Sequence, residues 1–265
     1  MQVWAIANQK GGVGKTTTVV ALAGLLAQQD ARVLVVDLDP HASLTEYFGH
    51  DAESLDKSVY NLFQTPATPV GQLLLPTQEP GITLLPASSA MASLERQTAG
   101  LTGLGLVVHK ALQSLAKEFD YVLLDSPPVL GITMINALAA CELLLMPVQT
   151  EFLAIKGLLR MANTLSHLLV SRGQPLHTLV VPTMYDRRTK PSVQSLRTIR
   201  KEFGERVSNA VIPHDTQFRN ASAAGQVPSR YNHLARGVQA YDLLLTQLLR
   251  QRHQIPIWEV SPPKK

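Results

Sequence analysis

The sequence predicts a doubly wound α/β fold, a mainly parallel sheet flanked by helices, and three observations carry that expectation. Short apolar runs alternate with longer stretches of helical periodicity along most of the chain. Several of those runs are almost unbroken in hydrophobicity, the pattern of strands covered on both faces. The first run leads through a glycine-rich loop straight into an apolar helix.

In chain order, the expected strands are Val3–Ala7, Val33–Val36, Ile82–Leu85, Tyr121–Leu124, Leu143–Val148, Leu179–Val181 and Val207–Ile212. Each is four to six residues of β-branched or leucine-rich sequence, except for the three-residue Leu179–Val181. The expected helices are Lys15–Gln29, Leu104–Lys117, Ala154–Ser171, Ser192–Phe203 and Ala235–Arg252, where the apolar residues recur at three- and four-residue spacings. The last of these has a stripe of Val238, Tyr241, Leu244, Leu245, Leu248 and Leu249, read as a helix docked on the core. The stretch Thr65–Pro86 holds five prolines and reads as loop plus one strand. Residues 1–253 are expected to form a single domain, and 254–265, with three prolines, an extended C-terminal tail.

Composition narrows the function classes. The chain has 265 residues, 45% hydrophobic and 17% charged, which suits a folded α/β protein and not a disordered one. A lone cysteine, Cys141, excludes a disulfide framework and any metal centre built on several thiolates. No apolar run reaches the roughly 20 residues of a membrane span. The first residues have no basic segment ahead of an apolar one, so no signal peptide is expected and the location should be cytoplasmic. The net charge of +4 is unevenly spread. Residues 1–186 hold 10 basic and 15 acidic residues (net −5), and residues 187–265 hold 14 and 5 (net +9). The C-terminal third is therefore either a surface for a polyanion or a set of solvated helix faces.

The loop reads Gln9-Lys10-Gly11-Gly12-Val13-Gly14-Lys15-Thr16-Thr17-Thr18. Its glycines allow the backbone N–H groups to turn toward phosphate oxygens, and the following helix offers its positive end to the same anion. Lys15 is placed to reach the β- and γ-phosphates and Thr16 to ligate Mg²⁺. The ordinary spacing of such loops puts a glycine where Gln9 stands, and a second lysine, Lys10, opens the loop instead. Two further apolar runs end in carboxylates. Asp37-Leu38-Asp39-Pro40-His41 follows the second, where two Asp two residues apart point the same way or else cap the next helix. Asp125-Ser126-Pro127-Pro128 follows the fourth, and a carboxylate that ends a buried strand needs a partner.

The string Lys-Gly-Gly-Val-Gly-Lys-Thr-Thr resembles the deviant Walker A loop of the ParA/MinD family of P-loop ATPases. The resemblance continues in order over about residues 1–250, through Leu55–Leu62, Leu85–Ser88 with Glu95, Met146–Glu151 with Gly157-Leu158, Pro182–Asp186 and Val211–Pro213. It implies ATP and Mg²⁺ as cofactors. By resemblance, Lys10, Gly11, Gly12, Val13, Gly14, Lys15, Thr16 and Thr17 hold the phosphates, and Met184 and Pro213 lie on the adenine side. Thr16, Asp37 and Asp125 belong to the Mg²⁺ site, with Asp125 acting through water, and Asp39 orients the attacking water. Lys10 is expected to reach across to the phosphates of a second subunit, making an ATP-dependent homodimer whose slow hydrolysis, stimulated by a ParB-like or cargo-adaptor partner, releases it. Such a switch segregates chromosomes or plasmids, or positions a large assembly such as a chemotaxis array, on the nucleoid or at a pole. An orphan member that positions some other cargo, such as the chemotaxis-array member ParC, is one reading of the chain.

The match departs at the non-specific DNA surface. The family pattern Val-Ile-Pro-Arg-Asn-Val-Arg-Leu-Ser-Glu-Ala reads here Val211-Ile212-Pro213-His214-Asp215-Thr216-Gln217-Phe218-Arg219-Asn220-Ala221. Both arginine positions are changed and Arg219 is displaced by two. Arg187, Arg188, Lys190, Arg197, Arg200, Lys201, Arg219 and Arg236 remain as a surface for DNA or an acidic partner. Thr65–Pro80 and the tail are further partner surfaces, or an ordinary loop and terminus. A MinD-like membrane-cycling ATPase, a small-molecule ligase of the same superfamily and a non-hydrolysing nucleotide-sensing scaffold stand as alternatives.

Overall fold

A computed structural model of the chain describes residues 1–65, 67–97, 103–172, 175–250 and 254–258. In order, the elements are β1 (Gln2–Ile6), α1 (Lys15–Ala27), β2 (Val33–Asp37), α2 (Ser43–Tyr47), α3 (Tyr60–Gln64), β3 (Leu75–Pro76), β4 (Ile82–Leu85), α4 (Leu94–Gln97) and α5 (Val107–Gln113). They continue with β5 (Tyr121–Asp125), α6 (Ile132–Ala140), β6 (Leu143–Gln149), α7 (Phe152–Arg172), β7 (His177–Thr183), α8 (Lys190–Phe203), α9 (Gln217–Ala223), α10 (Pro228–Tyr231) and α11 (Arg236–Arg250).

The strands form one sheet in the order β3-β4-β2-β5-β1-β6-β7, parallel throughout except for β3 against β4. The mainly parallel, doubly wound architecture read from the sequence is the one present. Alternation along each strand feeds two cores. Val3, Ala5 and Ala7 face α5, α6 and α7, whereas Trp4 and Ile6 face α1 and α11. Helix α1 is buried from Thr18 to Leu26 because the sheet covers one side and α10 and α11 the other. The α11 stripe of Val238, Tyr241, Leu244, Leu245 and Leu248 lies in that second core, while Leu249 is exposed.

The register sets the site. Ile6 pairs with Asp125 and Asp37 pairs with Asp125, so β1, β2 and β5 end level at their carboxyl edge. The loops after all three therefore meet there, in the crevice where ligands of such sheets bind.

Val207–Ile212 is not a seventh parallel strand. It runs beside β7 with two ladder bonds, Ser208 N to Val180 O and Ile212 N to Pro182 O, both 2.8 Å. Between them the Ser208 hydroxyl accepts from Ala210 N, and Gln247 takes the Ser208 hydroxyl and Asn209 N, so local side chains capture groups a ladder would use. Helix Leu104–Lys117 shortens to a 3₁₀ turn at Leu104–Leu106 followed by α5 and turns. The cause is Asn136 of α6, whose Oδ1 accepts from Val108 N and whose Nδ2 donates to Leu104 O. Helices α2, α3, α4, α6, α9 and α10 have no counterpart among the expected helices, and the proline-rich stretch carries the two-residue edge strand β3 besides β4. Pro66, the end of the last expected helix at Arg252, and tail residues 259–265 lie outside the described residues. The described part of the tail covers the start of β7 on the edge away from β6, ahead of the Val207–Ile212 bonds. Thr178 N donates to Pro256 O at 3.0 Å, Trp258 N donates to Leu176 O at 2.9 Å, and the Trp258 indole N–H reaches the Ser166 hydroxyl on α7 at 3.0 Å.

Candidate functional site

The loop between β1 and α1 folds because Gly12 (φ +71°) and Gly14 (φ +90°) take left-handed backbone that a side chain would strain. Around it, Thr183 Oγ1 donates to Val13 O at 2.8 Å and Thr18 Oγ1 to Gly14 O at 2.7 Å. Asn8 Nδ2 holds Pro147 O at 2.7 Å, tying the loop to β6. The Thr18 hydroxyl also meets the Tyr241 hydroxyl at 2.8 Å, so α1 and α11 are joined by a buried polar bond.

Lys15 is 7% exposed and its Nζ donates to Lys10 O at 3.3 Å. Burial lowers its pKa, against the opposing pull of Asp125 and Asp39. Thr16 Oγ1 donates to Asp125 Oδ2 at 2.5 Å. The other oxygen, Asp125 Oδ1, is buried with no hydrogen-bond partner among the described residues. Burial, then the Asp37 charge, push the Asp125 carboxyl up to about 8. An unpartnered carboxylate oxygen beside a hydroxyl, in a cluster of repelling carboxylates, suits a hard divalent cation. Among the described residues no group of three or more His, Cys, Asp or Glu could hold a metal by itself. Thr16 and Asp125 would therefore share a Mg²⁺ with phosphate oxygens and water, as that ion prefers.

Asp37 differs from Asp125. It is fully buried, and both oxygens are taken by protein donors: Asp39 N at 3.1 Å on Oδ1, and Thr45 N and Oγ1 at 2.9 and 2.8 Å on Oδ2. Burial raises it to about 6 in spite of those bonds. Its carboxyl thus fixes the turn that presents Asp39. Asp39 Oδ1 accepts from His41 N at 3.0 Å and lies 2.9 Å from His41 Nδ1.

Lys10 does not point at the phosphate loop. It forms an ion pair with Glu151, which precedes α7, and its Cβ lies 3.4 Å from where a Cβ on Gly157 would sit. Gln9 Nε2 donates to Thr164 of the same helix at 3.0 Å. The two residues that depart from the ordinary loop therefore both rest on α7. Met184, at φ +52°, lies over Gly14, and with Pro213 it lines a cavity of about 290 Å³ next to Thr17.

The basic residues scatter. Arg187, Lys190, Arg197, Arg200, Lys201, Arg219 and Arg236 are exposed. Arg188 is exposed too but paired with Asp186 at 2.8 Å. Arg187 to Lys201 lie on or just ahead of α8, whereas Arg219 belongs to α9 beside the loop. Glu151 and Thr45 were missed as site residues. Glu151 acts on Lys10, 141 residues away, and Thr45 on Asp37, 8 residues away, and only Glu151 falls within a string of the resemblance.

A family model described as "AAA domain" matches residues 1–176. Among curated relatives, the chromosome-partitioning ATPase Soj of Thermus thermophilus is 37% identical over 246 residues, 92% of this chain and 94% of its own. The chromosome partitioning protein ParA of Caulobacter vibrioides is 33% identical over 252 residues, 94% of each chain. A solved structure of cobyrinic acid a,c-diamide synthase from Mycobacterium smegmatis, with ADP and magnesium, is 32% identical. It aligns at a TM-score of 0.83 over 96% of this chain and 98% of its own.

Proposed function

Since the chain belongs to the ParA/MinD family of deviant Walker A P-loop ATPases, we propose that it binds ATP with Mg²⁺ in the β1–α1 loop and dimerises face to face on it. Slow hydrolysis is then the switch that segregates or positions a cargo. The observation that carries the reading is the unpartnered buried Asp125 Oδ1 beside the Thr16 hydroxyl and Lys15. Lys15 sets its charge against the β- and γ-phosphates. Bound Mg²⁺ supplies charge neutralisation at the same oxygens. Asp39, steadied through Asp37 and His41, holds the attacking water in line.

The dimer reading has its own support at the carboxyl edge. Val129 and Leu130 after β5, and Phe152 and Leu153 after β6, are exposed apolar residues on either side of the β1 loop. Lys10 is paired with Glu151 in the single chain. On dimerisation it would exchange that carboxylate for the phosphates of the other subunit. A ParB-like or adaptor protein would then set the rate of hydrolysis, and the exposed basic residues on and just ahead of α8 would carry non-specific DNA or an acidic tether.

The test is phosphate release together with binding of a labelled random-sequence duplex to the Asp39→Ala protein, with ATP and with ADP, across a salt series. The expected result is slow, Mg²⁺-dependent turnover that Asp39→Ala abolishes. Duplex binding with ATP alone, falling steeply with salt, assigns the nucleoid as track. No duplex binding, with the dimer intact, assigns a protein tether. Turnover that appears only when a carboxylic acid and an amine donor are added would contradict the switch and point to the chemistry named for the mycobacterial structure.

A further inference from the structure

Arg219 stands where the family pattern carries no arginine, and the fold does not leave it among the basic residues of α8. Two cavities meet beside Thr17. One, about 290 Å³, is lined by Gly14, Thr17, Met184 and Pro213. The other, about 240 Å³, is lined by Thr16, Thr17, Ser43 and Tyr47. Phe218 and Arg219 line both.

The orientation of α9 is fixed by what surrounds Phe218. Its ring meets Tyr241 edge-on at 5.6 Å and fills the space that a Cβ on Gly237 would occupy, 2.4 Å away. Asp215 locks the approach, with Oδ1 accepting from Gln217 N at 3.0 Å and Oδ2 from Gly237 N at 2.9 Å. The next residue, about 100° further round the helix, is carried to the Thr17 side. No ion-pair partner for the Arg219 guanidinium occurs among the described residues.

We propose that Arg219 binds the α-phosphate of the nucleotide, so that the displaced arginine serves nucleotide capture and not a DNA backbone. This rests on the reading that the β1–α1 loop holds ATP. In such loops the lysine serves the β- and γ-phosphates and backbone N–H groups serve the α- and β-phosphates. Thr17, in the first turn of α1, lines the cavity shared with Met184 and Pro213, whereas Thr16 bonds Asp125 on the Mg²⁺ side. A fork of five donors beside Thr17 adds a cationic contact, capable of bidentate bonding, to the backbone N–H groups at that end. The α-phosphate is common to ADP and ATP, so the contribution is equal for both.

The experiment is calorimetric titration of ATP and of ADP, with Mg²⁺, into the Asp39→Ala protein and into the same protein with Arg219→Gln or Arg219→Lys. The expected result is a loss of roughly ten- to a hundredfold in affinity for both nucleotides by the same factor with Arg219→Gln, and a smaller loss with Arg219→Lys. Duplex binding at saturating ATP should match the parent, and nucleotide-free melting curves should coincide. A loss for ATP alone would overturn the assignment in favour of a γ-phosphate contact. Unchanged nucleotide affinities with weakened duplex binding would overturn it in favour of DNA. A parent that binds neither nucleotide would defeat the underlying reading and this inference with it, whereas a parent that binds and an Arg219→Gln protein that binds equally well defeats only the inference.

Discussion

Asp37 and Asp39 leave β2 two residues apart, and their surroundings separate their work. Asp37 is enclosed by Thr45 and the Asp39 amide, while Asp39 keeps an accessible edge steadied by His41. Replacing Asp39 by Ala should lower phosphate release by about 10²-fold or more while ATP still binds, because a positioned acid–base group contributes on that scale; release kinetics and calorimetry read the two effects. Thr45→Ala should also slow turnover, through a loosened Asp37, without touching the phosphates. Lys10→Ala should bind ATP and fail to dimerise on it, which light scattering reads. Lys15, Thr16 and Asp125 were legible from the sequence because a loop of that composition between a strand and a helix admits few uses. Glu151 and Thr45 were not, because their partners lie 141 and 8 residues away and only the folded sheet brings them together. Arg219 was legible as an oddity, but its place beside Thr17 depends on how Phe218 packs.

Close approach and ion pairing fix the elements. Helix α1 meets the segment leading into α10 at Gly24, where an added Cβ would lie 2.7 Å from Val227 Cβ and 2.9 Å from the Ser229 hydroxyl. Gly24→Ala should therefore destabilise the protein by about 1–3 kcal/mol in denaturant unfolding, since neither backbone can withdraw from the core. At the other end of the sheet, Arg32 binds Asp120 through its guanidinium and its backbone N–H, joining the approaches to β2 and β5. The Arg32 side-chain bond holds the Asp120 carboxyl at about 2, below its value in an unfolded chain. The native state then binds fewer protons than the unfolded one in that interval. Its stabilising effect is present above about pH 4 and is lost as pH falls toward 2. Asp120→Asn should flatten that part of the acid-unfolding curve, by a small amount because the pair is half-exposed. Most strands and long helices were readable from apolar period alone. Val207–Ile212 was not, because it has the composition of a strand while Ser208 and Gln247 divert its hydrogen bonds. Helix α6 was missed because its nine residues sit between a Gly-Pro-rich turn and the next strand, with no polar face to mark a helical period.

At the scale of the whole molecule, the level ends of β1, β2 and β5 gather Lys15, Thr16, Asp39 and Asp125 on one edge. The exposed Val129, Leu130, Phe152 and Leu153 share that edge. Under the proposed function the catalytic and association surfaces coincide on that edge, so nucleotide state and oligomeric state are expected to change together. Which cargo and which partner use the switch has no counterpart in the fold, because the sheet and the loop serve any cargo equally, and the basic third is the part where the sequence departs from its family. The most direct test is the molar mass of the Asp39→Ala protein by light scattering with Mg²⁺ and ATP, beside the same protein with ADP and beside the Lys10→Ala, Asp39→Ala pair. The account predicts a doubled mass with ATP alone, reverting to the single-chain mass with ADP or without Lys10. A single-chain mass with saturating ATP, or a dimer indifferent to nucleotide and to Lys10, would contradict it.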